Sequence, residues 1–586
     1  MKEKRIRGIA ASPGIAIGPV YRYEPTLVRV EAETCQDVSA ELARLETALA
    51  EARQELRLLA EQASKSVGPN EAAIFSAHEV FLQDPELLQQ VQQRIRQRQS
   101  AAFAWQEGFR YYIHQLGAIQ DEYLQARVLD LEDVAQRVLR HLTGQSEQSL
   151  QLSTPAVIVA RELTPSALVR CPRELVLALC TAQGGPTSHV AILARALGVP
   201  AVVGLGESAT ALRSGQVVIV DGEQGLIVAE PGEGELTLYR QRRLRLQEQA
   251  KRAEQSRLQP ACTRDGHSYP VRANIQAPEE VAEARACGAE GIGLLRTEFL
   301  FLERSQAPTE DEQLEIYRAI IEAMRPAPVV IRTFDIGGDK PAPYLSLPSE
   351  SNPFLGVRGV RLGLKYPALL RTQLRALLRA GAGHELRILF PMVSSYEEAE
   401  ALRQLTRAVQ EELRQQGQPL AERIELGIMI EVPAAALLTE AFAEVVDFFS
   451  LGTNDLTQYT LAADRTNEST APLADPFHPA VLRLLQLTIE AAHRRQRRVE
   501  ICGELAAEPL AIPLLLGLGI DELSMVPRAI PGCKQVIRRW AESEARQIAL
   551  HALQMRTAAE VRSYLRACSP DELTAKEDGG SEAERA

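Results

Sequence analysis

His189 is the side chain of this sequence best placed to act as a nucleophile. The segment Gly184–His189 has the sequence Gly-Gly-Pro-Thr-Ser-His, and apolar residues then recur at helical spacing until Gly198. Pro186 suits the first turn of a helix, so the pattern predicts that His189 lies at a helix start. Free backbone amides and the helix dipole stabilise a phosphate there. We predict a phosphate-carrying histidine, and the alternative is a histidine that caps an ordinary turn.

A second set of reactive residues follows short apolar runs in the C-terminal half of the chain. Eight strands are predicted there, at Val271–Gln276, Gly291–Arg296, Val329–Phe334, Leu386–Met392, Leu426–Val432, Phe448–Thr453, Val499–Glu504 and Ile520–Met525. Polar residues at or beside their ends are Arg296, Arg332, Glu431, Asn454 with Asp455, and Cys502 with Glu504. Charges that converge at one end of a barrel imply a ligand, because an unpaired buried charge is costly.

The types of these residues indicate the ligand. Arg296 and Arg332, with Arg358 and Arg465 from loops, offer planar forks to phosphate or carboxylate oxygens. The carboxylates of Glu431 and Asp455 suit Mg²⁺ or Mn²⁺ better than zinc. The set predicts a small phosphorylated acid as substrate. Each residue has a plainer alternative, a surface ion pair for an arginine or a helix cap for an aspartate.

Joining the two sets predicts a reaction. Metal and arginines bind the phosphorylated acid, and neutral His189 attacks its phosphorus to give a phosphohistidine. If the donor is an enol phosphate, the departing enolate is protonated on carbon, and Cys502 can supply that proton. The alternative for Cys502 is a small buried residue beside Gly503.

The elements that must position these residues divide the chain. The eight strands alternate with helices over residues 261–570, which predicts a (β/α)₈ barrel with its active site at the strand C-termini. Short apolar runs in residues 1–25 and 144–230 predict a swivelling β/α domain that carries His189. Residues 231–260 predict a linker helix, and residues 571–586 a disordered tail. The fold class is therefore multidomain α/β.

Residues 26–143 have a helical pattern and almost no strand signal. The spacing of a coiled seam, which predicts a long antiparallel helical hairpin, is followed by Leu42, Leu45, Leu49, Ala52, Leu56 and Leu59. We predict that the whole segment forms an α-helical bundle inserted into the β/α domain. The pattern alone does not decide whether this helical segment is a passive spacer or a module that docks another protein.

Charge and composition exclude several classes of function. The net charge of −12 is spread over mixed-sign helices without a basic tract, which argues against nucleic acid and anionic membranes as partners. No secretory segment or membrane-spanning apolar run is present, so we expect a cytoplasmic protein. The eight cysteines are scattered singly, as expected for reduced packing residues.

Almost end to end, the sequence resembles enzyme I of the sugar phosphotransferase system, the phosphoenolpyruvate-protein phosphotransferases. The motifs that carry the resemblance are Ala11–Gly18, Glu71–His78 with Asp84–Leu88, the His189 segment, Asp335–Lys340, Asn352–Gly356, Gly452–Tyr459 with Ala463–Arg465, and Cys502–Leu505.

The resemblance implies roles for individual residues. His189 would carry the phosphoryl group on Nε2, and Cys502 would protonate the enolate of pyruvate. Phosphoenolpyruvate contacts would come from Arg296, Arg332, Asn454, Asp455 and Arg465, and Mg²⁺ would bind Glu431 and Asp455. The helical insertion would dock the histidine-containing phosphocarrier protein, and the barrel domain would form a homodimer.

Two residues beside the nucleophile depart from the family pattern. Pro186 stands where the family usually has Arg, and Val190 where Thr or another small residue is common. An arginine would help to neutralise phosphohistidine, and a threonine hydroxyl could orient the imidazole. We hypothesise slower autophosphorylation than in a typical member; an unchanged rate after Pro186→Arg would contradict this.

Three rival functions are less consistent with the residues. A dikinase or synthase with the same barrel would need an ATP-grasp nucleotide domain, and every long segment of this sequence is already assigned to another predicted domain. A nitrogen-branch paralogue would carry an added N-terminal sensory domain, whereas this sequence begins close to Ala11. A catalytically silent scaffold would have no need of His189, Glu431, Asp455 and Cys502.

Overall fold

The computed structural model describes residues 5–569 apart from 25–26, 67–68, 118–121, 146–149, 151, 186–187, 303, 339, 341, 343, 346, 348–349, 466 and 468–469. The side chains of residues 64–73, 114–129, 189 and 210 also lie outside the description. The chain divides into two compact units, residues 1–248 and 249–586. The predicted tail, 571–586, and Pro186 lie outside the described residues.

The first unit is built on an eight-stranded sheet. Its strands are β1 (Arg5–Arg7), β2 (Ile9–Ser12), β3 (Ile15–Tyr23), β4 (Ala156–Ala160), β5 (Val176–Thr181), β6 (Ala201–Val203), β7 (Val217–Asp221) and β8 (Leu226–Ala229). The strand order is β1-β8-β7-β3-β4-β5-β6-β2. The run from β3 to β6 is parallel, and the remaining pairs are antiparallel. The N-terminal strands therefore pair with strands that come much later in the chain, which agrees with the assignment of residues 1–25 and 144–230 to one domain.

Helices lie between β3 and β4 in the sequence. They are α1 (Val38–Ser66), α2 (Pro69–Phe81), α3 (Pro85–Arg96), α4 (Ala101–Gly117) and α5 (Glu122–Thr143). The predicted seam on α1 is buried at Leu45, Leu49, Ala52, Leu56 and Leu59, whereas Leu42 is half-buried. The predicted inserted helical bundle is confirmed, because α1 packs against all four of the other helices and not against one hairpin partner alone. Asp84 caps α3 and Pro85 begins it, which ends the preceding helix at a point that the leucine spacing does not reveal.

Three further helices follow in the first unit and beyond it. They are α6 (Pro165–Val169), α7 (His189–Leu197) and α8 (Glu233–Gln255). The long polar helix α8 agrees with the predicted linker helix in position.

The second unit is a closed barrel of eight parallel strands. The strands are β9 (Val271–Ile275), β10 (Ile292–Leu295), β11 (Val329–Arg332), β12 (Glu385–Phe390), β13 (Arg423–Ile430), β14 (Phe448–Leu451), β15 (Arg498–Ile501) and β16 (Glu522–Met525). Each lies within a few residues of its predicted position. Their buried, mostly aliphatic sequences are typical of strands covered on both faces. The predicted (β/α)₈ barrel is confirmed.

Helices surround the barrel and complete its core. They are α9 (Glu280–Ala286), α10 (Glu310–Met324), α11 (Val360–Lys365), α12 (Pro367–Ala380), α13 (Tyr396–Gln415), α14 (Pro433–Leu437), α15 (Thr439–Phe442), α16 (Thr453–Leu461), α17 (Pro479–Arg494), α18 (Ile512–Leu518), α19 (Ile530–Ile537), α20 (Glu542–Ala552) and α21 (Ala558–Cys568). Over the described ranges, no helix combines the length and apolarity needed to cross a bilayer.

Candidate active site

The C-terminal ends of the barrel strands gather the predicted residues at one mouth. Arg332 is the last residue of β11, and Arg296, Glu431 and Cys502 directly follow β10, β13 and β15. Asn454 and Asp455 are not strand residues, because α16 begins at Thr453, and they lie in its first turn. Parallel strands bring these positions to the same end of the barrel, where barrel enzymes place their chemistry.

Two arginines of the mouth share one buried aspartate, Asp335. Arg358 donates to it from Nε at 3.1 Å and from Nη2 at 2.7 Å, a bidentate pair. Arg332 Nη1 lies 3.7 Å from Asp335 Oδ2, and Arg332 Nη2 donates to Glu298 Oε1 at 2.9 Å. Glu298 also accepts the backbone N–H of Asp335 at 2.8 Å. The arrangement holds both guanidinium groups rigidly before any ligand binds.

The electrostatics of this network favour full ionisation. Burial alone would raise the pKa of Asp335, but Arg332 and Arg358 hold that pKa well below its ordinary value. Burial opposes the charge of Arg358, yet Asp335 and then Asp455 raise its pKa further above the ordinary value. The guanidinium group of Arg358 therefore stays charged despite its burial, as a donor to an anion requires.

Glu431 and Asp455 form a carboxylate pair that protein cations do not fully compensate. Burial, followed by the charges of Asp455 and Asp335, raises the pKa of Glu431 to about 8. Glu431 Oε1 accepts the backbone N–H of Met392 at 2.6 Å, and Met392 holds the unusual φ of 60°. Such strain is typical of a functional site.

The environment of Asp455 tests whether a metal would fit. Its Oδ1 atom is buried and accepts no hydrogen bond in the described part of the chain, although Arg358 Nη1 and Arg465 Nη2 lie 3.6 and 3.7 Å away. Among the described residues no group of three or more His, Cys, Asp or Glu side chains could hold a metal ion. Two oxygen donors with a free lone pair fit Mg²⁺, which usually keeps several waters and substrate oxygens, better than an all-protein metal cage.

The remaining predicted contacts border this centre. Asn454 exchanges two hydrogen bonds with Glu504, from its Nδ2 to Oε1 at 3.1 Å and from the Glu504 N–H to its Oδ1 at 3.0 Å. Arg465 is about one-third exposed, at 38% of its side chain. Arg296 is half-buried, and its Nε donates no hydrogen bond within the described ranges. Arg296 and Arg465 therefore retain donor capacity for a ligand.

Cys502 lies buried in the barrel interior beside Leu294 and Met429. Its Sγ accepts a hydrogen bond from Ser450 Oγ at 3.2 Å and lies 3.7 Å from the carbonyl oxygen of Leu451. Burial raises the pKa of the thiol to about 12. Cys502 is therefore protonated at neutral pH, which suits a proton donor and not a nucleophile.

The predicted nucleophile is the first residue of α7. Ser188 caps this helix by accepting the Ala191 N–H on its Oγ at 3.4 Å, and Gly198 ends it in the left-handed conformation with φ of 62°. The helix begins at His189, while Pro186 and the side chain of His189 lie outside the described residues. The backbone agrees with the prediction that His189 lies at a helix start.

Comparison with known proteins places the whole chain in one family. The family described as PEP-utilising enzyme, PEP-binding domain, matches residues 250–542. The corresponding N-terminal and mobile-domain families match residues 7–127 and 152–225. A phosphoenolpyruvate-protein phosphotransferase of Geobacillus stearothermophilus is 45% identical over 570 residues, which are 97% of this chain and 98% of the relative. This chain belongs to the phosphoenolpyruvate-protein phosphotransferases.

Other relatives are similar over nearly the same span of this chain. The phosphoenolpyruvate-protein phosphotransferase of Bacillus subtilis (strain 168) is 41% identical over 567 residues, 96% of this chain and 99% of the relative. A multiphosphoryl transfer protein of Rhodobacter capsulatus is 45% identical over 556 residues, 95% of this chain and 66% of the relative. The predicted resemblance and enzyme class are confirmed, and the predicted activity is the one for which the family is named.

Sequence reasoning missed one residue of the phosphotransferase site and undervalued another. Glu298 was not predicted, although it stands two residues after Arg296 at the end of β10, where a buried carboxylate is a usable signal. Asp335 was noted only as part of a family motif, and its pairing with both arginines depends on tertiary contacts. The individual roles of the site residues stay predictions.

Proposed function

We propose that this chain transfers the phosphoryl group of phosphoenolpyruvate to its own His189 and then to a histidine-containing phosphocarrier protein, the first step of the sugar phosphotransferase system. Family membership supports the reaction. The observation that carries it is the meeting at one barrel mouth of the Arg332–Asp335–Arg358 cluster, the Glu431–Asp455 pair and a protonated Cys502.

Substrate binding follows from the charges. Arg296, Arg332 and Arg465 would bind phosphate and carboxylate oxygens of phosphoenolpyruvate, with Asn454 as a neutral donor. Asp335 keeps Arg332 and Arg358 oriented, so little conformational entropy is lost when the anion binds.

Glu431 and Asp455 would hold Mg²⁺ or Mn²⁺ at the mouth. The ion, when bound, supplies Lewis-acid stabilisation of the charge that develops on the substrate oxygens. The raised pKa of Glu431 means that this carboxyl would lose a proton when it binds the ion, because a metal ligand must be ionised.

Proton transfer would fall to Cys502. When the P–O bond of phosphoenolpyruvate breaks, the electron pair leaves on the enolate of pyruvate, whose C3 must gain a proton. The Cys502 S–H is held in the barrel interior and is fully protonated at neutral pH. It can therefore give its proton to C3 and complete the formation of pyruvate.

His189 would receive the phosphoryl group on neutral Nε2. Its place at the start of α7, after the Ser188 cap, puts the developing negative charge near backbone amides. The proposal also keeps the domain borders predicted from the sequence. The phosphocarrier protein would dock on the helices of residues 26–143, the barrel would form a homodimer, and the protein would be cytoplasmic.

Labelled phosphoenolpyruvate with Mg²⁺ tests the function directly. The wild type should acquire an acid-labile label and pass it to a phosphocarrier protein, whereas His189→Ala should not be labelled. His551→Ala, a change on the exposed face of α20, is the matched control and should be labelled like the wild type. Absence of label on the wild type would favour the silent scaffold instead.

A further inference from the structure

A second layer of charges lies inside the barrel, away from the residues of the mouth. It consists of Arg272 on β9, Arg387 on β12, Glu425 on β13, Glu500 on β15 and Glu522 on β16, all of them buried. Arg272 Nη2 donates to Glu522 Oε1 at 2.8 Å, and Arg387 Nε lies 3.0 Å from Glu425 Oε2. The more exposed Arg423 and Arg498 also pair with Glu425, their Nη2 atoms at 2.8 and 2.6 Å from its carboxylate oxygens. Glu425 and Glu522 are therefore closely paired, and Glu500 is not.

Glu500 is the carboxylate without a close cation. Arg272 Nη1, at 3.7 Å from Glu500 Oε2, is too far for a hydrogen bond, and Glu500 Oε1 is buried without a hydrogen-bond partner in the described part of the chain. Such a group is costly to keep charged. Burial raises its pKa to about 7, aided by the charge of Glu522 and opposed by those of Arg272 and Arg387. Glu500 can therefore gain and lose a proton near neutral pH.

Ser450 connects Glu500 to Cys502. Ser450 on β14 is the register partner of Glu500 on β15, so the two side chains are neighbours in the barrel, and the Ser450 hydroxyl partly offsets the rise in the pKa of Glu500. Cys502 lies two residues after Glu500, so both side chains belong to the same face of the strand. Ser450 Oγ donates to Cys502 Sγ at 3.2 Å. A serine hydroxyl can accept one proton while it donates another.

The proposed function creates a need for such a connection. After Cys502 has protonated the enolate, its thiolate is buried in the barrel with only the Ser450 hydroxyl hydrogen-bonded to its sulfur among the described residues. A new proton must reach that sulfur before the next turnover, and the mouth above it is the place where substrate and pyruvate bind.

We infer that Ser450 and Glu500 return the proton to Cys502 after each turnover, an inference that rests on the proposed function. The Cys502 S–H bond breaks as the C–H bond forms at C3 of pyruvate. The thiolate then takes the hydroxyl proton of Ser450, which takes the carboxyl proton of Glu500. Glu500 is left as a carboxylate facing Arg272 and regains a proton from water. Glu500 acts through Ser450, so it is a relay residue and does not touch the substrate.

Exchange of the pyruvate methyl protons with deuterium oxide tests the relay without phosphoryl transfer. The full chain, pyruvate and MgCl₂ are followed by proton NMR across pH 5.5 to 9. Exchange requires that the proton on Cys502 leave through Ser450 to ionised Glu500. We expect the wild-type rate to rise through an inflection near pH 7 as Glu500 loses its proton.

Three variants make the test specific. Glu500→Gln should lower the exchange rate at least about tenfold and remove the inflection, and Ser450→Ala should do the same. Glu522→Gln, in the same charge layer, should keep the plateau rate but move the inflection to lower pH, because the charge of Glu522 raises the pKa of Glu500. A purely structural role for the layer would not shift the inflection. Ser450→Ala leaves every charge in place, so it carries the test if Glu500→Gln does not fold.

The outcomes separate this inference from the proposed function. Folded Glu500→Gln and Ser450→Ala proteins that exchange like the wild type, with the same inflection, would overturn the relay. A wild type that labels His189 from phosphoenolpyruvate but does not exchange pyruvate would also overturn it. A wild type that does not label His189 contradicts the proposed function itself.

Discussion

Asp335 shows at the scale of one residue how the barrel mouth is held together. It is buried, it pairs with Arg332 and Arg358, and its backbone N–H is bound by Glu298. Removing one partner of a buried ion pair leaves the other charge without compensation, which costs more than the pair itself contributes. The arginines and the aspartate therefore depend on one another for stability as well as for orientation.

Asp335→Asn should lower the free energy of unfolding by about 3–5 kcal/mol, because two buried guanidinium groups lose their shared counter-charge. Asp311→Asn, which removes an exposed partner of Arg379, should cost no more than about 1 kcal/mol. Urea unfolding monitored by circular dichroism measures both.

The pH dependence gives a further check on Asp335. Its pKa is lowered on folding, so its contribution to stability is complete above the unfolded pKa of about 3.9 and is lost as the pH falls toward the lower folded value. The stability difference between wild type and Asp335→Asn should therefore shrink in acid. A difference that stays constant below pH 4 would contradict this assignment.

Cys502 should resist alkylation at pH 8, because burial holds its pKa at about 12 and keeps the reactive thiolate scarce. Mass spectrometry after brief iodoacetamide treatment should find the half-buried Cys35 modified well before Cys502.

Cys502→Ala should lower the rate of pyruvate formation by about 100-fold or more, as expected for loss of a general acid. Rapid labelling of Cys502 in the folded protein would show that its thiol is not the protonated donor described above.

At the scale of elements, helix starts and strand ends determine where the reactive groups lie. The first turn of α16 carries Asn454 and Asp455, and it follows β14 with only Gly452 between them. Gly503, after β15, lies against this turn with no room for a side chain: a Cβ there would meet Thr453 Oγ1 at 1.9 Å and Thr453 N at 2.7 Å. Close packing of two strand ends thus fixes the position of the proposed metal ligand.

Gly503→Ala should displace the start of α16 and weaken the binding of Mg²⁺. We expect the Mg²⁺ concentration for half-maximal activity to rise about tenfold, the effect of losing roughly 1.4 kcal/mol of binding. Gly532→Ala on α19 meets nothing within 4 Å, so it should leave that concentration unchanged. Equal Mg²⁺ titrations for both variants would show that α16 tolerates the shift.

Ser188→Ala removes the N-cap of α7 and should lower stability by about 1 kcal/mol. Because the cap also fixes the backbone at His189, the rate of autophosphorylation should fall as well. Thr557→Ala removes the equivalent cap of α21 and serves as the control, with a similar loss of stability and no change in autophosphorylation. Melting curves and labelling rates of the two variants distinguish general helix loss from an effect on the nucleophile.

For the molecule as a whole, the proposed reaction consists of two half-reactions, one that needs residues of both units and one that needs residues of the first unit alone. The substrate, metal and proton-transfer residues belong to residues 249–586, and His189 belongs to residues 1–248. Transfer from phosphoenolpyruvate needs both sets, whereas exchange of phosphate between His189 and a phosphocarrier protein needs only the first unit. Variants should therefore separate the two half-reactions.

Arg465→Ala should lower phosphorylation by phosphoenolpyruvate about 10- to 100-fold, the value of one charge-assisted hydrogen bond. Its partly exposed side chain can be removed with little effect on the fold. Phosphorylation of the same variant by a phosphorylated phosphocarrier protein should be unchanged. An equal loss of phosphorylation by phosphoenolpyruvate and by the phosphorylated phosphocarrier protein would mean that Arg465 stabilises the whole protein and does not act at the substrate site.

The local sequence determined the elements and most of the chemistry. Mostly apolar runs such as Val329–Ile331 bury both faces of a strand, and eight of them alternating with amphipathic helices leave few alternatives to a barrel. Arg332, Glu431 and Cys502 could be selected from the sequence because a polar residue that ends an apolar strand lies at the mouth of such a barrel.

Tertiary structure alone decided which of these groups share a partner. Asp335 pairs with arginines that are brought to it by folding, and Oδ1 of Asp455 is left without a hydrogen bond among the described residues. Cys502, Ser450 and Glu500 become neighbours because β14 and β15 pair in register. The pKa of a buried group depends on the distances to such partners and on the exclusion of water, neither of which is encoded by the spacing of residues along the chain. For the same reason the helices of residues 38–143 were predicted as helices, but not their mutual packing.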